Sequence, residues 1–71
     1  MIDANIEKIN GKYVAYDSFG NSWKVFKRNK YWDAIANIPV EMKLKKIHYL
    51  CANTLHDLAC VIRDKGGKNK E

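Results

Sequence analysis

Apolar and polar residues alternate along the first 28 positions, and a spacing of three to four residues takes over after that. Asn5 to Ile9 leads into Asn10-Gly11, a dipeptide that readily takes the two positive-φ positions of a tight hairpin turn. Residues 12–17 carry Tyr13, Val14 and Tyr16, Ser18-Phe19-Gly20-Asn21 reads as a second turn, and residues 22–28 carry Trp23, Val25 and Phe26. The pattern predicts a three-stranded antiparallel meander over about 4–9, 12–17 and 22–28. If the second loop spans 18–21, Tyr16 faces Trp23, Val14 faces Val25 and Tyr13 faces Phe26. One sheet face then holds Val14, Tyr16, Trp23 and Val25, and the other holds Lys8, Tyr13, Lys24, Phe26 and Arg28. A slip of one residue exchanges the faces of the third strand.

Tyr31, Ala34, Ile35 and Ile38 recur at helical spacing behind Asn29, a good N-cap residue, and Pro39 disfavours helix at Ile38. They predict a short helix over 30–37. Leu44, Ile47, Cys51, Leu55, Leu58 and Ile62 then predict one long amphipathic helix over 40–64, packed on one sheet face and stopped by Gly66-Gly67. The expected fold class is α+β. The expected organisation is one globular domain over 1–64 with a disordered basic tail over 65–71.

Charge adds a map to this outline. Of the net +5, the segment Lys24 to Lys46 carries the whole excess: Lys24, Lys27, Arg28, Lys30, Lys43, Lys45 and Lys46 stand against Asp33 and Glu41. A basic stripe of this kind points to an anionic partner, with DNA or RNA first. Eleven of the thirteen basic residues are lysine, which fits a solvated surface as well as a phosphate contact, because readers of base edges favour arginine. The expected face with Tyr13 and Phe26 side by side, ringed by Lys8, Lys24 and Arg28, has the chemistry of a base-stacking platform. Tyr31 and Trp32 lie beside it in sequence.

His48, Cys51, His56 and Cys60 form the one His/Cys series in the chain. On an unbroken helix the two pairs sit about 12 Å apart, too far to share a tetrahedral zinc or, for the cysteines, a disulfide. His56 and Cys60 can touch, but no glycine-rich elbow or phosphate-cradling loop accompanies them. The sequence is therefore read as a binding protein rather than an enzyme, with no metal and no cofactor. Met42, Tyr49 and His56 recur at heptad spacing on the other side of the expected helix, which makes them the candidate contact for a homodimer or a partner. A chain of this size with no internal staple gives such a contact added weight.

Met1 to Glu7 shows no leader pattern and no stretch is long and apolar enough for a membrane span, so the expected setting is cytoplasmic with free thiols. The leading functional expectation is a small nucleic-acid-binding protein using the lysine stripe and the aromatic sheet face. The alternative is a small interaction module, an inhibitor or adaptor, that occupies an acidic or nucleic-acid-binding surface of a partner protein.

Overall fold

The computed structural model describes residues 4–70. It shows a small α+β unit: a five-stranded antiparallel sheet with a C-terminal helix on one face. The strands are β1 (Ile6–Ile9), β2 (Lys12–Tyr16), β3 (Ser22–Arg28), β4 (Tyr31–Ala36) and β5 (Tyr49–Ala52), and they lie in the sheet in chain order. A single helical turn, α1 (Val40–Lys43), sits between β4 and β5, and α2 (Leu55–Lys65) closes the fold.

The first three strands form where the alternation places them, and β1 and β2 pair in the expected register, with Ile9 opposite Lys12. Between β2 and β3 the register is shifted by one. Ala15, not Tyr16, lies opposite Trp23, and Tyr13 lies opposite Val25 rather than Phe26. Asp17 is the cause. It leaves the strand early, and its carboxylate accepts hydrogen bonds from the backbone N–H groups of Phe19 and Asn21 and from Trp23 Nε1. The turn consequently spans five residues, and every side chain of β3 changes face relative to β2.

The expected helix over 30–37 is a strand. Asn29 has φ 53° and forms a two-residue hairpin turn with Lys30, so that Arg28 lies opposite Tyr31. An eight-residue helix is marginal on its own, whereas residues 31–36 gain a ladder on both sides by lying between β3 and β5. Their side chains alternate accordingly: Ala34 and Ala36 are buried on the inner face with Trp32 half-buried beside them, and Tyr31 and Ile35 look outward.

The expected helix over 40–64 is also overturned. It is broken into α1, β5 and α2, because Tyr49–Ala52 pairs with β4 and puts Leu50 and Ala52 inward and Tyr49 and Cys51 outward. The true helix start is Thr54, whose Oγ1 accepts from the N–H of Asp57. The helix ends after Lys65, with Gly66 N–H bonded to the Ile62 carbonyl.

The core lies between the inner sheet face and α2. Trp23, fully buried, sits between the small cross-strand partners Ala15 and Ala36, and Leu58, Ala59 and Ile62 of α2 close over it with Ile6, Val25 and Ala34. Of the expected disordered tail, residues 67–70 are tied in, with Gly67 N–H bonded to Ile47 O, Ile47 N–H to Lys68 O and Lys70 N–H to Lys45 O, and Glu71 lies outside the described residues.

Gly67 makes this closure possible. It has φ 81°, and a Cβ there would lie 2.7 Å from Asp17 Oδ2. Gly67→Ala is expected to cost about 1–2 kcal/mol through clash and backbone strain. Urea denaturation checks it, and an unchanged midpoint would show that the tail is not held against the Asp17 turn. No helix among the described residues is long and apolar enough to cross a membrane.

Candidate nucleic-acid interface

Antiparallel order puts the two tight turns, Asn10-Gly11 and Asn29-Lys30, at the same end of the sheet. Both need positive φ, which Asn and Gly tolerate: Asn10 has φ 50°, Gly11 79° and Asn29 53°. Lys8, Lys12, Lys27, Arg28 and Lys30 lie in or beside these turns and are all exposed. Glu7 is the one carboxylate in β1, and it accepts a hydrogen bond from Tyr16 OH, which holds that phenol above its ordinary pKa.

On the inner face, past the part that α2 covers, Tyr13 and Trp32 meet edge to face with ring centroids 5.5 Å apart. Lys8 Nζ stands 5.4 Å from the Tyr13 centroid and Lys27 Nζ 5.2 Å from that of Trp32. Each contact pairs a cation with a π face. Along β2 and β3 runs a depression of about 580 Å³ whose lining includes Lys12, Tyr13, Lys24, Phe26, Lys27 and Trp32. Three lysines and three aromatic residues contribute to the lining, Lys12, Lys24 and Phe26 from the outer face and Tyr13, Lys27 and Trp32 from the inner one, and no carboxylate does. Its size lies within the range of about 300–1,000 Å³ usual for ligand sites.

Among the described residues, no helix packs on the outer sheet face. Phe26 and Tyr49 are partly exposed there, with Lys24 and Arg28 beside them. Asp33 lies on the same face but is only 2% exposed, and its Oδ2 pairs with Arg28 Nε at 2.7 Å. Arg28 also donates from Nη2 to Tyr49 OH at 3.3 Å. The second carboxylate oxygen, Oδ1, is buried with no hydrogen-bond partner. Arg28 is thus held in place by Asp33 and Tyr49.

The structure regroups the residues singled out from sequence. Tyr13 and Phe26, expected side by side, project from opposite faces as a result of the β2/β3 register shift, and Tyr13 stands instead with Trp32. Lys8, Tyr13 and Lys27 share the inner face, Lys24, Phe26 and Arg28 share the outer one, and Lys30 is in the turn. Lys43, Lys45 and Lys46 are at the other end of β4, with Lys46 Nζ on Asn69 Oδ1 at 2.6 Å. The six residues of β4 span roughly 20 Å, so the single stripe becomes two separate basic ends. Lys12 and Trp32 join the site although the linear charge run omits the first and the helical reading misplaces the second. Residues 31–36 are apolar apart from Asp33, so no periodicity in the sequence places Trp32, and only the pairing of β4 with β3 and β5 does.

Met42, Tyr49 and His56, expected in line on one helix, belong to α1, β5 and α2 and share no helix face. Cys51 is exposed on the outer sheet face rather than central to an apolar helix stripe. His56 and Cys60 do remain one turn apart on α2, with Nε2 and Sγ 3.8 Å apart. Among the described residues, no three His, Cys, Asp or Glu side chains gather as a metal-ligand set. Comparison of the chain with protein-family models, with curated proteins and with solved structures gives no match.

Proposed function

We propose that the protein binds single-stranded nucleic acid along the depression on β2 and β3. The observation that carries this reading is the composition of that lining: three lysines and three aromatic residues, drawn from both sheet faces, with no acid among them. Bases stack on exposed rings with little regard to sequence, while lysines follow the phosphates. Phe26 offers a ring on the outer face, and Trp32 and Tyr13 offer a second surface at the hairpin end. Lys12, Lys24, Lys27 and Lys30 serve as phosphate contacts, and Lys8 adds to the same field. In this reading the molecule is a binding protein rather than a catalyst.

Fluorescence anisotropy with labelled single- and double-stranded DNA and RNA at low and at physiological salt tests it. Single strands are expected to bind more tightly, with affinity falling steeply as salt rises. Phe26→Ala is expected to weaken binding about tenfold, within the range for loss of one stacked base. Lys12→Ala and Lys27→Ala are each expected to lower the salt slope by about 0.7. Lys43→Ala and Lys45→Ala, at the far end, are expected to change little. Absence of binding at low salt sinks the proposal, and equal losses from lysines at both ends reduce it to general charge attraction.

A further inference from the structure

The end of the molecule away from the hairpin turns displays apolar side chains that the fold leaves uncovered. Val40, the first residue of α1, and Leu44, its C-cap, are 74% and 78% exposed, and Phe19 is 62% exposed. None of the residues of α1 is buried, so the turn contributes little to the core. It is nevertheless fixed. Pro39 O accepts from the N–H groups of Met42 and Lys43, and the chain directly after it is clamped by the pairing of residues 45–47 with 67–70. Beside α1 is a hollow of about 290 Å³ walled by Phe19, Ile38, Pro39 and Met42, with Lys46 in its lining. That volume is at the bottom of the range for whole small-molecule sites, and it suits one inserted side chain. Single exposed aliphatics need no explanation, but several at one end around a concavity mark a contact surface.

Charge selects the occupant. Lys43, Lys45 and Lys46 lie within or directly after α1, Lys70 Nζ donates to the Lys43 carbonyl oxygen, and Glu41 is the only acid within 38–46. Asp17, beside Phe19 and Gly67, is buried with its carboxylate bonded to Phe19, Asn21 and Trp23. A second copy of the chain would bring the same lysines against them. A lipid bilayer takes up protruding side chains but does not fill a hollow.

We infer that this end is a docking surface for an acidic segment of a partner protein. The segment seats one apolar side chain over Phe19, Ile38 and Met42, lies across Val40 and Leu44, and turns its carboxylates to Lys43, Lys45 and Lys46. Buried apolar anchors supply most of the affinity of such contacts, and the charge ring supplies register and association rate. The inference stands apart from the nucleic-acid reading, since it uses the opposite end of β4.

The test is selection of random linear peptides displayed on phage against the wild-type chain, with counter-selection on Leu44→Ser. Enriched sequences are expected to carry net negative charge around one recurrent large apolar residue. A synthesised winner is expected to shift the backbone NMR signals of Phe19, Met42, Lys46 and Gly67. Its affinity is expected to fall about tenfold or more, at least 1.4 kcal/mol, in both Leu44→Ser and Met42→Ser. Both side chains are exposed enough for the variants to fold, which circular dichroism checks. Nucleic-acid affinity is expected to be unchanged in both, which separates the two surfaces.

Failure to enrich, enrichment of peptides that are not acidic, or equal binding to the variants overturns the inference. So does Leu44-dependent pelleting with phosphatidylserine vesicles in place of peptide binding, or a sedimenting dimer that Leu44→Ser dissociates.

Discussion

Trp23→Ala is expected to remove about 3–5 kcal/mol of stability, the range for deleting a large buried aromatic side chain. Three features place it in the upper part of that range. The indole is fully buried, and its cross-strand neighbours Ala15 and Ala36 are too small to move into the space it leaves. On the helix side, Gly66 packs so closely that a Cβ there would lie 2.9 Å from the ring and 2.5 Å from the Ile62 carbonyl oxygen. Removing the ring therefore leaves a cavity bounded by backbone. Finally, Nε1 donates to Asp17 Oδ2 at 3.0 Å, so its loss also takes a donor from the carboxylate that shapes the β2–β3 turn.

Folded domains are stable by only about 5–15 kcal/mol, and a chain this short belongs near the lower limit. The variant should be largely unfolded in modest urea, with the midpoint shifted and the slope retained. Trp23→Phe, which fills most of the space but loses the donor, is expected to cost about 1–3 kcal/mol. If Trp23→Ala lost less than about 1 kcal/mol, the core would not be organised around this indole.

The same turn shows what the sequence reveals and what it conceals. Asn10-Gly11 and Gly66-Gly67 are local signals, set by φ preferences that no distant contact has to confirm, and both do what they suggest. The first three strands are legible for a similar reason. Asp17 is different. Its identity is consistent with either a strand end or a turn, and the hydrogen bond it accepts from the buried indole of Trp23, added to those from the Phe19 and Asn21 N–H groups, fixes the turn. That one choice sets the β2–β3 register, and with it which aromatic rings share a face.

Residues 31–36 and 49–52 form strands where helix is expected, because short apolar runs satisfy both periodicities. Tyr31, Ala34, Ile35 and Ile38 fit a helix, while Trp32, Ala34 and Ala36 fit a strand, and the choice rests on β-ladder partners distant in sequence. Thr54, followed three residues later by Asp57, was a readable start for α2 inside the supposed long helix. The candidate site depends on the same long-range pairings. Its lysines were visible as composition, but the pairing of Tyr13 with Trp32 depends on β4 being a strand.

Arg28→Ala is expected to destabilise the fold by about 2–3 kcal/mol, although Arg28 is largely exposed, whereas Asp33→Val is expected to be neutral or stabilising. Asp33 is the buried member of the pair: 2% of it is exposed against 63% of the Arg28 side chain, and its Oδ1 has no partner. Cutting one partner from a fully buried pair costs about 3–5 kcal/mol, because the remaining charge stays desolvated. Water reaches the Arg28 side, which lowers the figure. Replacing the carboxylate with a β-branched apolar residue on a central strand removes the orphan oxygen and the desolvation cost together.

The two single variants and the double variant, compared by urea denaturation, form a cycle. Arg28→Ala is expected to be harmless in the Asp33→Val background, so the coupling should nearly equal its whole single-variant effect. A destabilising Asp33→Val would show instead that the ion pair contributes net stability. If the carboxylate is not there for stability, its remaining effect is on Arg28, which it holds against Tyr49 at the edge of the outer face. Asp33→Val then frees a guanidinium and removes a negative charge beside the proposed strand path. Single-stranded nucleic acid should bind more tightly to that variant at low salt, with a salt slope steeper by about 0.7 for one added phosphate contact. Unchanged affinity in a folded Asp33→Val would place the bound strand away from Arg28 and confine it to the lysines and aromatic rings of β2 and β3.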